Sequence, residues 1–150
     1  MDGLTIRNIN ISDYDRNYLF LLKQLTDINP EIIDRNTFND FINGLNDMHS
    51  IIVIEDISAN IIIGSGTLLV EQKLIHNMGK VGHIEDIVVD EKYRGRNLGK
   101  KIIEYLIDMS NKSGCYKAIL DCSDKNVEFY KKCGFEQKGV EMALYFRSKI

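Results

Sequence analysis

The sequence has no long apolar run, and no segment approaches the roughly 20 consecutive apolar residues that span a bilayer. The segment from Met1 to Arg7 also has no apolar core, which predicts that no secretory signal peptide is present. We therefore expect a cytoplasmic protein without a membrane partner.

Cysteine is scarce, and the three residues Cys115, Cys122 and Cys133 form an odd set without Cys-x-x-Cys spacing. This pattern disfavours a disulfide framework and a structural zinc site, and it is typical of reduced thiols in the cytosol. No histidine lies at a spacing that would indicate a cysteine nucleophile. We interpret all three as packing residues and expect no metal.

Basic charge is not in excess, since the net charge is −3. Nucleic acid is therefore not the expected partner, because a phosphate backbone requires a basic face. The length of 150 residues, with 44% hydrophobic and 27% charged residues, is typical of one soluble globular domain with a substantial core. Without repeats or low-complexity tracts, residues 1–150 are predicted to form a single domain.

Hydrophobic patterning predicts strands and helices around one central sheet. The expected strands cover residues 4–9, 50–55, 61–71, 84–89, 117–122 and 140–146. The expected helices begin at Ser12 as N-cap, follow the only proline Pro30, run from Leu98 towards Gly114, and extend from Ser123 to Lys132. This order indicates an α/β or α+β domain.

A basic, glycine-containing loop follows the strand that ends at residue 89. Five cations fall within ten residues of this acidic chain: Lys92, Arg94, Arg96, Lys100 and Lys101. At the start of a helix, such a loop directs backbone N–H groups and the helix dipole towards a phosphate. The loop therefore predicts a site for a small polyanion, with an ordinary solvated turn as the alternative.

The second half of the chain carries motifs that resemble the GCN5-related N-acetyltransferase (GNAT) superfamily. The superfamily signature for acyl-CoA is Arg/Gln-x-x-Gly-x-Gly/Ala, and the matching segments are Arg94 to Gly99, Asn126, Phe129-Tyr130 and Gly134-Phe135. Four further segments, residues 71–76, 82–89, 114–122 and 139–142, are similar to the eukaryotic glucosamine 6-phosphate N-acetyltransferases.

The resemblance implies a GNAT fold, with a central mixed, mostly antiparallel twisted sheet flanked by helices. It also implies an enzyme that moves acetyl from acetyl-CoA to the 2-amine of D-glucosamine 6-phosphate, by direct transfer in a ternary complex. That reaction would lie on the route to UDP-N-acetylglucosamine.

The resemblance implies that acetyl-CoA binds to one strand end, the basic loop and a later helix. The residues are Ile87, Val88, Val89, Arg94, Gly95, Arg96, Asn97, Leu98, Gly99, Lys100, Asn126 and Tyr130. Asn97 stands where the superfamily has glycine, but asparagine tolerates the left-handed conformation better than most residues. Asn126 is alternatively a residue that helps to cap its helix after Ser123.

The same resemblance implies catalytic roles for Glu85, Asp86 and Tyr130. Transfer from a thioester to an amine needs a neutral nucleophile, a polarised carbonyl and a protonated leaving thiol. Neighbouring side chains face opposite ways on a regular strand, so one of the two serves the substrate while the other is structural or acts through water. We assign Glu85 as the general-base candidate, with Asp86 helping to hold the amine. The Tyr130 phenol would protonate the departing thiolate. Surface carboxylates and a core tyrosine are the structural alternatives.

The implied residues of the sugar site are Thr26, Lys73, His76, Glu85, Asp86, Tyr116, Lys117, Asp121 and Arg147. Tyr145 stands where some members of the family place a phosphate-binding arginine, and Arg147 would lie on the same face of a strand. Lys73 is alternatively a solvated hairpin charge, and His76 a structural histidine.

The resemblance further implies a homodimer in which the C-terminal strand crosses to the partner. The apolar alternation of residues 140–146 is compatible with this dimer, and equally with a monomer in which the strand packs on its own chain. Two other functions stay open: acetyl transfer to another small amine, and a non-catalytic CoA-binding module. Lys73, His76 and Lys117 favour an anionic acceptor over a cationic one.

Overall fold

A computed structural model describes residues 3–146 of the chain, which fall into two compact units. The first unit ends at Leu120, and the second begins at Asp121. No helix within the described range is long and apolar enough to cross a membrane.

The strands are β1 (Leu4–Asn8), β2 (His49–Asp56), β3 (Ile61–Gln72), β4 (Lys80–Val89) and β5 (Cys115–Ile119). The α-helices are α1 (Tyr18–Leu22), α2 (Arg35–Asn43), the single turn α3 (Ile75–Met78), α4 (Leu98–Lys112) and α5 (Val127–Lys132). Short 3₁₀ helices span Ile11–Asp15, Pro30–Ile32, Glu91–Tyr93 and Asp124–Asn126.

The strands form one sheet in the order β1-β2-β3-β4-β5. The first four strands pair antiparallel, whereas β4 and β5 are parallel and are joined through α4. The prediction of a mixed, mostly antiparallel sheet with helices is therefore confirmed.

The two faces of the sheet carry different layers. On one face, Tyr18 and Phe38 from the first two helices pack with Val53 of β2 in a buried cluster. On the other face, Ile102 and Leu106 of α4 approach the glycines of β3. The buried positions of α4 recur at helical spacing, as the sequence predicts. Gly114 follows the end of this helix in the left-handed conformation, with φ +78°.

The pairing of β3 with β4 slips by one residue in mid-strand. Thr67 pairs with Glu85, but the next pair along is Ser65 with Val88. Two residues of β4 therefore face the single Gly66 of β3, which is the pattern of a β-bulge.

The first helix differs from its prediction. A 3₁₀ helix and the short α1 replace one continuous helix, and Asn17 lies between them with φ +68°. Ser12 is not the N-cap, because the Asn10 side chain takes that position and accepts the Ser12 N–H at 2.9 Å. A capping box between Asn10 and Asp13 completes the start.

The predicted strand at residues 140–146 is wrong for the single chain, since this described segment has no strand structure. Val140 and Met142 are 87% and 90% exposed. A strand is stable only when its backbone groups pair with a neighbouring strand and its apolar face is covered.

Two smaller predictions in the second unit are also corrected. Cys122 is exposed, so the packing interpretation is wrong for this residue, whereas Cys115 and Cys133 are half-buried. Ser123 does precede the 3₁₀ helix Asp124–Asn126, but its side chain makes no capping hydrogen bond with any described residue.

Candidate functional site

The basic loop joins the end of β4 to the start of α4. After the 3₁₀ helix Glu91–Tyr93, the chain turns twice through the left-handed region, at Gly95 with φ +79° and at Asn97 with φ +58°. The prediction that Asn97 accepts this conformation is confirmed. Leu98 then begins the helix with a buried side chain.

The backbone N–H groups of residues 95–100 meet no acceptor within the described part of the chain. The Arg94 N–H donates to Glu91 O at 3.4 Å. The Lys101 N–H donates to Asn97 O at 3.1 Å and forms the first hydrogen bond of the helix. Consecutive unpaired amides at a helix N-terminus favour an anion through both hydrogen bonding and the helix dipole. Arg96 and Lys100 add exposed positive charge, so the loop can bind a phosphate.

The stem of this loop is fixed by a residue that sequence reasoning missed. Gln24, after α1, donates through Nε2 to Asp90 Oδ2 at 3.1 Å and accepts Glu91 N–H at 2.9 Å. Asp90 is buried, and its Oδ1 accepts the Lys92 N–H at 2.9 Å. These hydrogen bonds therefore fix the residues at which the loop begins. No sequence signal points to a contact between residues so far apart along the chain.

The β4 bulge places the predicted catalytic carboxylates. Asp86 has φ +53° and is exposed, while Glu85 is half-buried. The assumption of a regular strand is therefore wrong here, because the left-handed residue breaks the alternation of side chains. Where two strands part in this way, backbone N–H and C=O groups become available to a substrate.

A buried pair of hydroxyl groups lies on the adjoining face of the sheet. The Tyr18 hydroxyl is 3.4 Å from Ser65 Oγ, which in turn donates to Ile52 O at 3.1 Å. Burial raises the pKa of Tyr18 to about 12. The hydrogen bond with Ser65 acts in the opposite direction, and the charge of Asp86 adds a smaller increase. Tyr18 therefore stays protonated at neutral pH, within electrostatic reach of the bulge.

Three predicted sugar-site residues lie together near the start of β4. The His76 ring centre is 4.6 Å from that of Tyr116, and Lys117 Nζ is 5.7 Å from the Tyr116 ring. β4 begins at Lys80, six residues before Asp86, which is roughly 20 Å along a strand. One chain therefore brings these three residues together but does not place them beside its own bulge.

Lys73 lies in a different group. Its Nζ is 2.6 Å from Glu71 Oε1, and His83 Nε2 is 2.9 Å from Glu71 Oε2. Hydrogen bonds from Lys73 and then His83 lower the pKa of Glu71. His83 was not predicted, although its position two residues before Glu85 on a strand is a signal for the same face. Thr26 is exposed after α1.

Tyr130 lies in the second unit with its ring packed against two phenylalanines. Its ring centre is 5.0 Å from that of Phe129 and 6.2 Å from that of Phe135. Burial raises the pKa of Tyr130, and the neighbouring Cys122 and Cys133 add to the shift. The phenol is therefore a hydrogen-bond donor at neutral pH, as a proton donor to a thiolate must be.

Three other predicted residues belong to the second unit of the chain. Asn126 precedes α5, and its side chain makes no capping hydrogen bond with a described residue, so the capping alternative has no support. Asp121 is exposed. Arg147 lies outside the described residues.

Comparison with known proteins gives consistent matches. Residues 13–135 match the model of the Acetyltransferase (GNAT) family. The chain is 49% identical over 147 residues to glucosamine 6-phosphate N-acetyltransferase 1 of Dictyostelium discoideum, covering 96% of this chain and 92% of that protein. It is 44% identical over 144 residues to glucosamine 6-phosphate N-acetyltransferase of Arabidopsis thaliana, covering 94% and 95%.

A solved structure supports the same grouping. The crystal structure of glucosamine-6-phosphate N-acetyltransferase from Arabidopsis thaliana matches with a TM-score of 0.92 at 40% identity. The match covers 97% of this chain and 99% of that chain.

Proposed function

Because this chain belongs to the acetyltransferase (GNAT) family, we propose that it transfers the acetyl group of acetyl-CoA to the 2-amine of glucosamine 6-phosphate. Curated relatives at 40–49% identity that extend over most of the chain carry the name of this activity. The product, N-acetylglucosamine 6-phosphate, would enter the synthesis of UDP-N-acetylglucosamine.

The observation that carries the proposal is the arrangement of one continuous segment. The β-bulge at Asp86 is followed by the loop of unpaired amides at residues 95–100. The first feature suits a reacting thioester and amine, and the second suits the phosphates at the other end of acetyl-CoA. We assign the cofactor contacts to residues 87–89 and 94–100, with Asn126 on the pantetheine arm.

Acetyl transfer to this amine depends more on the positioning of the two substrates than on a strong general base. An amine with a pKa of about 8 loses its proton at pH 7 at a cost of only about 1.4 kcal/mol. Orientation of two bound reactants supplies roughly 7–11 kcal/mol of a barrier. In this mechanism the backbone parted at the bulge polarises the thioester carbonyl, Asp86 holds the amine and Glu85 accepts its proton.

The transfer proceeds directly between the two substrates. The amine nitrogen attacks the carbonyl carbon, the C–S bond breaks, and the CoA thiolate takes the proton of Tyr130, which solvent restores. Burial raises the pKa of Tyr130, so the phenol is protonated at neutral pH and can donate a hydrogen bond to the departing sulfur. A thiol pKa near 8.5 makes the thiolate an acceptable leaving group.

The sugar phosphate is assigned to His76, Tyr116 and Lys117, with Lys73, Thr26, Asp121 and Arg147 as further candidates. Because the end of β4 beside the first three lies roughly 20 Å from the bulge of the same chain, the assignment is consistent with sites shared between two copies. The sheet supports a dimer in a second way. Among the described residues, β5 pairs only with β4, which leaves its outer edge available to a strand.

The proposed function is tested by measuring CoA thiol release with glucosamine 6-phosphate, glucosamine and spermidine side by side. We expect the phosphorylated sugar to be the best acceptor by at least about tenfold, since a hydrogen bond to a charged group contributes roughly 1.5–3 kcal/mol. Equal rates with and without the 6-phosphate would remove the anion site. Binding of acetyl-CoA with no release from any acceptor would indicate a non-catalytic module.

A further inference from the structure

Tyr93 connects the basic loop to the turn after β2. Its hydroxyl donates to Asp56 Oδ2 at 2.8 Å, and the guanidinium carbon of Arg96 lies 5.1 Å from its ring centre. Asp56 is itself fixed, because its Oδ1 accepts Ser58 Oγ at 2.6 Å and Ala59 N–H at 3.0 Å. A rigid turn therefore holds a tyrosine, and the tyrosine holds an arginine of the loop.

The two contacts of Tyr93 strengthen each other. A hydrogen bond to a carboxylate pushes electron density into the phenol ring, and the hydrogen bond to Asp56 raises the pKa of Tyr93 accordingly. A more electron-rich ring attracts a guanidinium cation more strongly. Arg96 is exposed and has a long side chain, so without the ring it would lose more rotamer freedom whenever it bound a ligand.

We propose that Asp56 and Tyr93 are positioning residues, which hold Arg96 ready to bind a phosphate group of acetyl-CoA. This inference rests on the proposed function. Arg96 belongs to the loop whose amides at residues 95–100 are unpaired, so one phosphate group is within reach of both its side chain and those amides in this proposal. A guanidinium binds phosphate through paired hydrogen bonds, and it does so with a smaller ordering cost when the side chain is already oriented.

The test is a double-mutant cycle of Tyr93→Phe and Arg96→Ala, read by calorimetric titration of the full-length protein with CoA and with 3′-dephospho-CoA. Tyr93→Phe keeps the ring but releases it from Asp56. We expect it to raise the Kd for CoA about two- to fivefold, the range of an exposed cation–π contact. Arg96→Ala should raise the Kd about tenfold. In the double variant, Tyr93→Phe should add nothing further.

The chain offers a matched control. The Tyr14 hydroxyl donates to Ile33 O at 3.2 Å, and the Arg35 guanidinium carbon lies 4.7 Å from the Tyr14 ring centre, away from the loop. Tyr14→Phe therefore removes an equivalent hydroxyl from an equivalent pair and should leave the Kd unchanged. The thermal midpoint of each variant shows whether it is folded.

The outcomes separate cleanly. If Arg96→Ala loses affinity for CoA only, Arg96 binds the 3′-phosphate. If it loses affinity for both CoA and 3′-dephospho-CoA, Arg96 binds the diphosphate. Both results support the inference. A wild-type Kd in Tyr93→Phe overturns it, and so does an equal effect of this change with and without Arg96. Should the unmodified protein bind no CoA, the proposed function itself fails, and this is seen before any variant is compared.

Discussion

At the scale of single residues, Asp13 is the most completely buried charge in the described chain. It accepts two hydrogen bonds from Arg7, at 2.7 and 2.8 Å, and one from Arg16 at 3.2 Å. Burial alone would raise the pKa of Asp13, but the hydrogen bonds from Arg7, the Asn10 N–H and Arg16 outweigh it and lower the pKa. The carboxylate therefore joins the 3₁₀ helix Ile11–Asp15 to β1.

Replacing Asp13 with asparagine should reduce the free energy of unfolding by about 2–3 kcal/mol at pH 7, because Arg7 loses a buried partner. The folded-state pKa is lowered, so this stabilisation is present above the unfolded pKa of about 3.9 and is lost as the pH falls through the folded pKa. Urea denaturation at pH 7, 4 and 2.5 should show a smaller acid-induced loss in Asp13→Asn than in the wild type.

Asp15→Asn provides the control for Asp13. Asp15 also pairs with an arginine, Arg35, at 2.6 Å, but the two side chains are 61% and 52% exposed. Exposed pairs contribute little, so the change should be small at every pH. Equal losses in the two variants would contradict the role given to burial.

Tyr130 is the residue on which the proposed leaving-group step depends. Tyr130→Phe keeps the ring packed between Phe129 and Phe135 but removes the hydroxyl proton, so turnover should fall about hundredfold or more. The affinity for acetyl-CoA should change little. Steady-state rates and calorimetry measure the two quantities, with Tyr105→Phe on the exposed side of α4 as control. An undiminished turnover would assign the proton to another donor.

At the scale of elements, the β-bulge depends on a glycine in the facing strand. A Cβ at Gly66 would lie 2.7 Å from Ile87 Cδ1 and 2.7 Å from Ile102 Cγ2. Gly66 is therefore the position where β3, the bulge and α4 approach one another most closely. A glycine inside a strand is a sequence signal for such an approach, although it does not reveal which element comes near.

Gly66→Ala should destabilise the fold by about 1–3 kcal/mol through overpacking, and it should lower turnover by displacing Ile87. Gly64→Ala is the matched control on the same buried strand, where the nearest atom, Ile102 Cδ1, would be 3.1 Å away. Thermal melts and steady-state rates distinguish the two variants. A similar result for both would show that the bulge does not depend on Gly66.

At the scale of the whole molecule, the C-terminal segment has the composition of a strand without its structure. The apolar residues Val140, Met142, Leu144 and Phe146 are 78–90% exposed. Apolar exposure on this scale is uncommon in soluble monomers and indicates a partner surface. We propose that the partner is a second copy of the chain, which accepts this segment as an added strand.

Met142→Asp should convert the proposed dimer to a monomer, because it places a charge on the apolar face of the segment. Glu141→Gln, on the alternate face, should leave the dimer intact. Light scattering at micromolar concentration measures the mass of each variant. A wild-type protein that is already monomeric would contradict the proposed dimer.

Much of the architecture was predictable from local patterns. Runs of apolar, mostly β-branched residues indicate β2 and β3. The spacing of Leu98, Ile102 and Leu106 indicates α4, because burial of one helix face requires this period. The basic loop was predictable for a similar reason. Glycine, asparagine and clustered cations mark a turn and an anion site within a few residues of each other.

Contacts between distant segments were not predictable in this way. Gln24 reaches Asp90, and Asp56 reaches Tyr93, without any periodic signal in the sequence. The bulge at Asp86 has no periodic signal either, since the residues around it have the pattern of an ordinary strand. Its left-handed backbone exists only because the pairing with β3 slips by one residue.

The amino-acid sequence by itself therefore determined the order of strands and helices, the anion-binding character of the loop and the chemical groups available for acetyl transfer. These properties follow from nearest-neighbour periodicity and side-chain chemistry. Only the tertiary structure decided where β4 opens, how the loop is anchored, and that residues 140–146 find no strand partner among the described residues of their own chain. Each of these depends on which surfaces remain after the sheet and helices have packed.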